Sequence, residues 1–169
     1  MADQSIGRGW ILAGVAASLI GAAASAAEPP QPLGFAGRWS MVPAQSHFAE
    51  AVTGPAPGAA DLDITKDDGV ALAWTLVERD GAVVEASEFG DSLLDGTPSR
   101  IVVDGVFAPV TLKRVGPRAV DLTSVLGGGA TQSIHLELRG EGALSIEETL
   151  TSPSGKAVNQ HLEFVRAKS

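Results

Sequence analysis

From Asp61 onward the chain is a succession of short segments in which apolar and polar residues alternate with a period of two, the pattern of strands with one buried face. Val70, Leu72, Trp74 and Leu76 share one face of a segment that runs to Glu78. The same alternation predicts strands at Asp61 to Lys66, Ala82 to Phe89, Arg100 to Asp104, Ala108 to Val115, Ala119 to Leu126, Thr131 to Arg139, Ala143 to Thr151 and Ala157 to Arg166, after a first strand that starts at Gly37. Turn residues separate them: Asp67-Asp68-Gly69, Asp80-Gly81, Asp104-Gly105, Gly116-Pro117, Gly127-Gly128-Gly129, Gly140-Glu141-Gly142 and Ser152-Pro153-Ser154-Gly155. Asp-Gly between two strand patterns is a strong hairpin signal, because both central residues of the tight turn take positive φ. Connections this short make each strand the antiparallel neighbour of the one before it. The predicted fold is therefore all-β, an antiparallel up-and-down meander. Strand twist and the need to hide the edge strands favour closing it into a barrel, with a two-sheet sandwich as the alternative.

The start of the chain follows a different pattern. Arg8 precedes an apolar stretch from Trp10 to Ala27, rich in Ala and Gly, with small residues at Ala24-Ser25-Ala26 and Glu28-Pro29-Pro30 directly after it. This reads as an N-terminal export helix over residues 1–27, either a cleaved signal peptide or a retained membrane anchor. The expected location of the remainder is periplasmic or secreted, and the membrane is involved only if the leader is kept. Residues 28–36 read as a Pro-rich spacer and 37–169 as one domain, since taking 27 residues from 169 leaves 142, enough for one core. The Gly54-Pro55-Ala56-Pro57-Gly58 stretch reads as a surface loop.

The chain has no cysteine, which removes disulfides, thiolate nucleophiles and Cys-based metal centres. Its net charge of −8 argues against nucleic acid and against charge-driven docking on anionic lipid. With three Trp, five Phe and no Tyr, aliphatic residues must fill most of the interior.

The segment Gly37-Arg38-Trp39, followed by Pro43-Ala44-Gln45-Ser46-His47-Phe48, resembles the opening of small secreted bacterial lipocalin-like proteins. The Gly54-Pro55-Ala56-Pro57 loop, Leu112-Lys113-Arg114 and the final strand fall in the same order as in those proteins, so the resemblance spans Gly37 to the end. It implies a lipocalin-like barrel in which Gly37 and Trp39 form a structural barrel end. It further implies that an Arg near the last strand, here Arg166, packs over the tryptophan. It carries no established reaction or ligand, so function rests on the site.

Candidate chemistry is sparse. His47, His135 and His161 lack the spacing of metal ligands on a strand or helix, no Gly-x-Ser-x-Gly elbow accompanies the Ser, His and Asp residues, and the Gly127-Gly128-Gly129 run joins two strands rather than feeding a helix. No catalytic, metal or cofactor site is expected. Charges in phase with apolar residues are more informative. Glu148 lies between Ile146 and Leu150, and Arg114 follows Val110 and Leu112, while Glu78 and Glu88 end two apolar faces. A charge projecting into a barrel must be paired, neutralised or wetted. These groups either point to solvent at the rim or form a polar floor or mouth; Trp74, Arg114 and Glu148 are the candidate ligand-contacting residues, with Arg114 and Glu148 the two charges to watch. Alanines at alternate positions, Ala71, Ala73 and Ala86, would leave room inside if they face inward. The leading function class is an exported binding module for a small, mostly apolar ligand. The alternative is an accessory or structural subunit partnering an envelope complex, and an enzyme is the least supported.

Overall fold

The computed structural model describes residues 34–50, 55–103 and 106–168. The export segment, the spacer as far as Leu33, Gly54 and the Asp104-Gly105 turn lie outside them. Ten strands follow in order: β1 Gly37–Met41, β2 Ala59–Asp67, β3 Ala71–Asp80, β4 Val83–Leu93, β5 Asp95–Val103, β6 Val106–Gly116, β7 Ala119–Val125, β8 Thr131–Arg139, β9 Ala143–Thr151 and β10 Ala157–Arg166. Every ladder is antiparallel, and the strands form one sheet in the order β4-β3-β2-β1-β10-β9-β8-β7-β6-β5. The meander thus closes through β1 and β10, where Trp39 pairs with Arg166 and Met41 with Phe164. Among the described residues the one break is between β4 and β5, consecutive strands that share no ladder. The sheet is a nearly closed up-and-down barrel.

The alternation read from the sequence decides which residues point inward. Leu62 pairs with Leu76 and Ile64 with Trp74 on the inner face. Across β6 to β9, Arg114, Val120, Leu136 and Ile146 continue one inner row. On the outside, Lys113, Asp121, His135, Glu147 and His161 make a charged row over five strands. This polar outer face reverses the apolar-out pattern of a barrel that crosses a membrane. Burying each large inner side chain stabilises the fold by roughly 1.5–3 kcal/mol, and Phe35, Trp39, Leu72, Val120, Leu144 and Phe164 are all fully buried.

The seam has its own chemistry. At one end Leu94 bridges it, its N–H donating to Val70 O at 2.8 Å and its C=O accepting from Arg114 N at 2.9 Å. The hydroxyls of Ser92 and Ser99 meet across it at 3.1 Å. The strands that flank it are longer than the alternation predicts, β4 reaching Leu93 instead of Phe89 and β5 starting at Asp95 instead of Arg100. Pro98 conceals this extension in the sequence, because proline breaks a strand pattern. As an edge strand β5 tolerates it, and the positive φ of Gly96 allows the register shift between Asp95 and Pro98.

Ala71 and Ala73 are buried, at 4% and 8% exposed, in the phase opposite to Leu72, Trp74 and Leu76. Ala86 pairs with Val77 on the outer face, and Ala73 sits at a bulge in the β3 to β4 ladder. The extra residue of that bulge lies in β4, so β3 keeps its period of two, and Leu72, Trp74 and Leu76 hold the inner positions.

Candidate functional site

The two ends of the barrel differ in chemistry. One end is formed where β1 starts and β10 finishes, and it is plugged. Phe35 and Trp39 are fully buried there, and the Trp39 indole N–H donates to Phe35 O at 2.9 Å. The Arg166 guanidinium lies over the Trp39 ring at 4.2 Å and donates to Ala36 O at 2.8 Å and Gly34 O at 3.1 Å. Gly37, with φ of +128°, leaves the space this guanidinium occupies: a Cβ there would stand 2.5 Å from Arg166 Nη1. Asp67, at the end of β2, accepts from Phe35 N at 2.9 Å and from Arg114 Nη2 at 2.5 Å. Arg114 in turn lies 5.7 Å from the centre of the Phe35 ring. Gly37, Trp39, Arg166 and Arg114 thus meet in one closed end.

The opposite end is the mouth. There the segment after β1 makes a short 3-10 turn at Pro43–Gln45 and then pairs His47 with His161 by two backbone bonds of 2.7 and 2.8 Å. Its Phe48 packs, half-buried, against the core. Leu76, Ile134 and Ile146 point inward and remain partly exposed, as does Trp74 nearer the plugged end.

Glu148 belongs to this mouth half. Its neighbours two residues away, Ile146 and Leu150, are apolar, so the strand period carries its carboxylate into the barrel, where it is 8% exposed. Water is replaced by side-chain donors. Gln132 Nε2 donates to one carboxylate oxygen at 2.6 Å and Gln160 Nε2 donates to the other. The Ser124 hydroxyl donates to Gln132 Oε1 at 2.9 Å, so three polar side chains from β7, β8 and β10 converge on Glu148. Gln160 is 9% exposed, and its Oε1 is buried without a hydrogen-bond partner.

The sequence-derived candidates are therefore distributed rather than gathered. Arg114 stands two residues from the closed end of β6 and is held by Asp67, whereas Glu148 stands three from the mouth end of β9. They are not a pair, because strand phase specifies inside or outside but not height in the barrel. Trp74 is an inner residue of β3 and stacks on Phe89, ring centres 4.1 Å apart and planes within 4°. Gln132, Gln160 and Ser124 escaped notice in the sequence although they carry the same signal as Glu148. Each is two residues from an inward Ile or Leu on its own strand.

The histidines lie on the outside. His135 Nδ1 is 2.6 Å from Asp121 Oδ1 and His161 Nδ1 is 2.7 Å from Glu147 Oε1. No group of three or more His, Asp or Glu among the described residues is arranged to hold a metal ion. A depression of about 480 Å³ also lies on the outer face, over Arg38, Ser40, Asp61, Asp63 and Thr75. The hydrogen bond from Arg79 holds Asp61 below the usual carboxylate range against a smaller opposing effect of burial, and the Ser40 hydroxyl adds to the lowering. This surface is a lattice of exposed ion pairs, each worth little.

Among solved structures the chain is similar to the fluorescent protein UnaG. The wild type aligns with a TM-score of 0.55 at 17% identity over 79% of this chain and 97% of that one, and a point mutant of the same protein with 0.55 at 17% over 80% and 97%. At this identity the likeness shows the fold, a lipocalin-like β-barrel, and nothing finer. No protein-family model and no curated protein matches the chain.

Proposed function

We propose that this chain is an exported envelope protein that holds a small, mostly apolar ligand in the mouth half of its barrel. The observation that carries the reading is the polar cluster around Glu148, set inside the barrel beside inward apolar side chains that solvent still reaches. A few convergent polar groups in a mostly apolar concavity are how binding sites orient a ligand. Export rests on the leader pattern of residues 1–27. The Gly37-Arg38-Trp39 opening supports kinship with small secreted bacterial lipocalin-like proteins. The closed half supports a second reading, an accessory or structural subunit of an envelope complex, because Phe35, Trp39 and Phe164 are fully buried.

Native mass spectrometry of the protein purified from the envelope fraction separates these readings. The expected result is a small-molecule adduct that is lost on denaturation, on a chain whose intact mass lacks the leader. A ligand-free protein that also fails to take up apolar fluorescent probes would leave the accessory role. A full-length mass would make the leader an anchor.

A further inference from the structure

The head-group chemistry of that ligand can be read from the same cluster. We infer that the barrel takes an apolar molecule carrying an amine, bound as its ammonium form, with the positive head group between Glu148 and Gln160. This rests on the lumen-binding reading and narrows it.

Two observations support the assignment independently. The first is charge. Glu148 is 8% exposed and both its oxygens accept from neutral amides, yet no basic side chain contacts it among the described residues. A buried carboxylate stabilised only by neutral donors retains a strong attraction for a cation. Among the described residues Glu78 and Glu85 face each other across β3 and β4 in the same inward phase. The inward basic residues, Arg114 and Arg166, are both at the closed end, where Asp67 engages one and the carbonyls of Gly34 and Ala36 engage the other.

The second observation is a missing donor. Gln160 is more than nine-tenths buried, and its amide nitrogen is committed to Glu148, which fixes the orientation of the amide. Its Oε1 is left buried without a hydrogen bond. A buried acceptor without a donor is costly, and a ligand that supplies an N–H or O–H removes that cost. An alcohol would satisfy Gln160 but not the charge of Glu148. A fatty carboxylate would satisfy neither and would add repulsion. An ammonium group meets both needs, with three N–H donors and a positive charge.

The test uses three molecules that differ only at the head: dodecylamine, dodecanol and dodecanoate, each competing against an apolar fluorescent probe on the processed protein at neutral pH. Dodecylamine is expected to bind about tenfold more tightly than dodecanol, the effect of one charge-assisted hydrogen bond, and dodecanoate more weakly than either. The amine preference should shrink in high salt. Glu148→Gln should abolish it, while Gln160→Leu should reduce amine and alcohol binding together. Dodecanol binding as tightly as dodecylamine, or an amine preference that survives in a folded Glu148→Gln variant, overturns the head-group assignment and leaves the carrier reading intact. If none of the three displaces the probe and none binds directly, the lumen-binding reading falls and this inference falls with it.

Discussion

The contact between Arg166 and Trp39 depends on an absent atom. Because Gly37 has no Cβ, the guanidinium can lie over the indole and reach the carbonyls of Gly34 and Ala36. Trp39→Ala should cost about 3–5 kcal/mol as a large core truncation, and Arg166→Ala about 1 kcal/mol as the loss of a cation–π contact and two hydrogen bonds at a partly wet site. Gly37→Ala should be more harmful than Arg166→Ala, since it adds backbone strain at positive φ to a collision with the guanidinium. Combining the two should recover part of the loss. Urea unfolding of the four variants measures this, and strict additivity would mean that Gly37 does not act through Arg166.

Asp68 offers a pH-dependent counterpart at the β2 to β3 turn. Its Oδ1 accepts from Ala71 N at 2.8 Å and Val70 N at 2.9 Å. The Ala71 amide, then the Val70 amide, hold its carboxyl below the ordinary value of 3.8. A folded-state pKa below the unfolded one stabilises the protein above the unfolded value, and the effect is lost as the pH falls through the folded value. Asp68→Asn keeps the acceptor and removes the charge. It should therefore melt below the parent at neutral pH and converge with it in acid, as thermal unfolding followed across pH will record.

At this level the sequence was legible in one respect and silent in another. Period-two phase puts Glu148 and Arg114 inside, and an even strand count puts the end of the last strand beside Trp39. Phase says nothing of which inward groups share a height. For this reason Arg114 found Asp67, 47 positions away, instead of Glu148, and the buried Phe35 could not be told from the spacer residues before it.

Strands are where sequence and structure agree most closely, because a half-buried meander imposes alternation and each short turn carries its own residue chemistry. The β7 to β10 boundaries follow the pattern to within a residue. The seam strands do not. Proline in β5 and the bulges in β4 and β5 interrupt the period without ending the strand. The same irregularity sets their dynamics. With no ladder between them, β4 and β5 are tied by the serine pair and Leu94 toward the closed end and by nothing comparable nearer the mouth among the described residues. Local opening follows missing hydrogen bonds. Amide exchange followed by mass spectrometry should be fastest in the mouth half of β4 and β5 and slowest in β1, β9 and β10. Uniform protection around the barrel would show that the seam is sealed by other means.

For the molecule as a whole, closure depends on the two strands furthest apart in the chain. Among the described residues β1 pairs with β2 and β10 alone, so it has no neighbour on one side until the last strand arrives. Ending the chain after Thr151 removes β10 and exposes edges on both β1 and β9, together with the inner faces that Leu162 and Phe164 cover. The expected result is loss of the cooperative thermal transition rather than a nine-stranded barrel, and circular dichroism will distinguish them. Long-range closure of this kind also predicts slow folding relative to helical chains of equal length.

The joining of the two ends sets the attitude of the molecule in space. Gly34 O accepts from Arg166 Nη2, so the chain enters and leaves the fold at the plugged base, with the mouth at the far pole. Were the leader to remain as a tether, the barrel would stand base-down on the bilayer with its acidic opening turned toward the surrounding water. A ligand of the kind proposed would then be exchanged with the aqueous compartment instead of being drawn sideways out of the lipid.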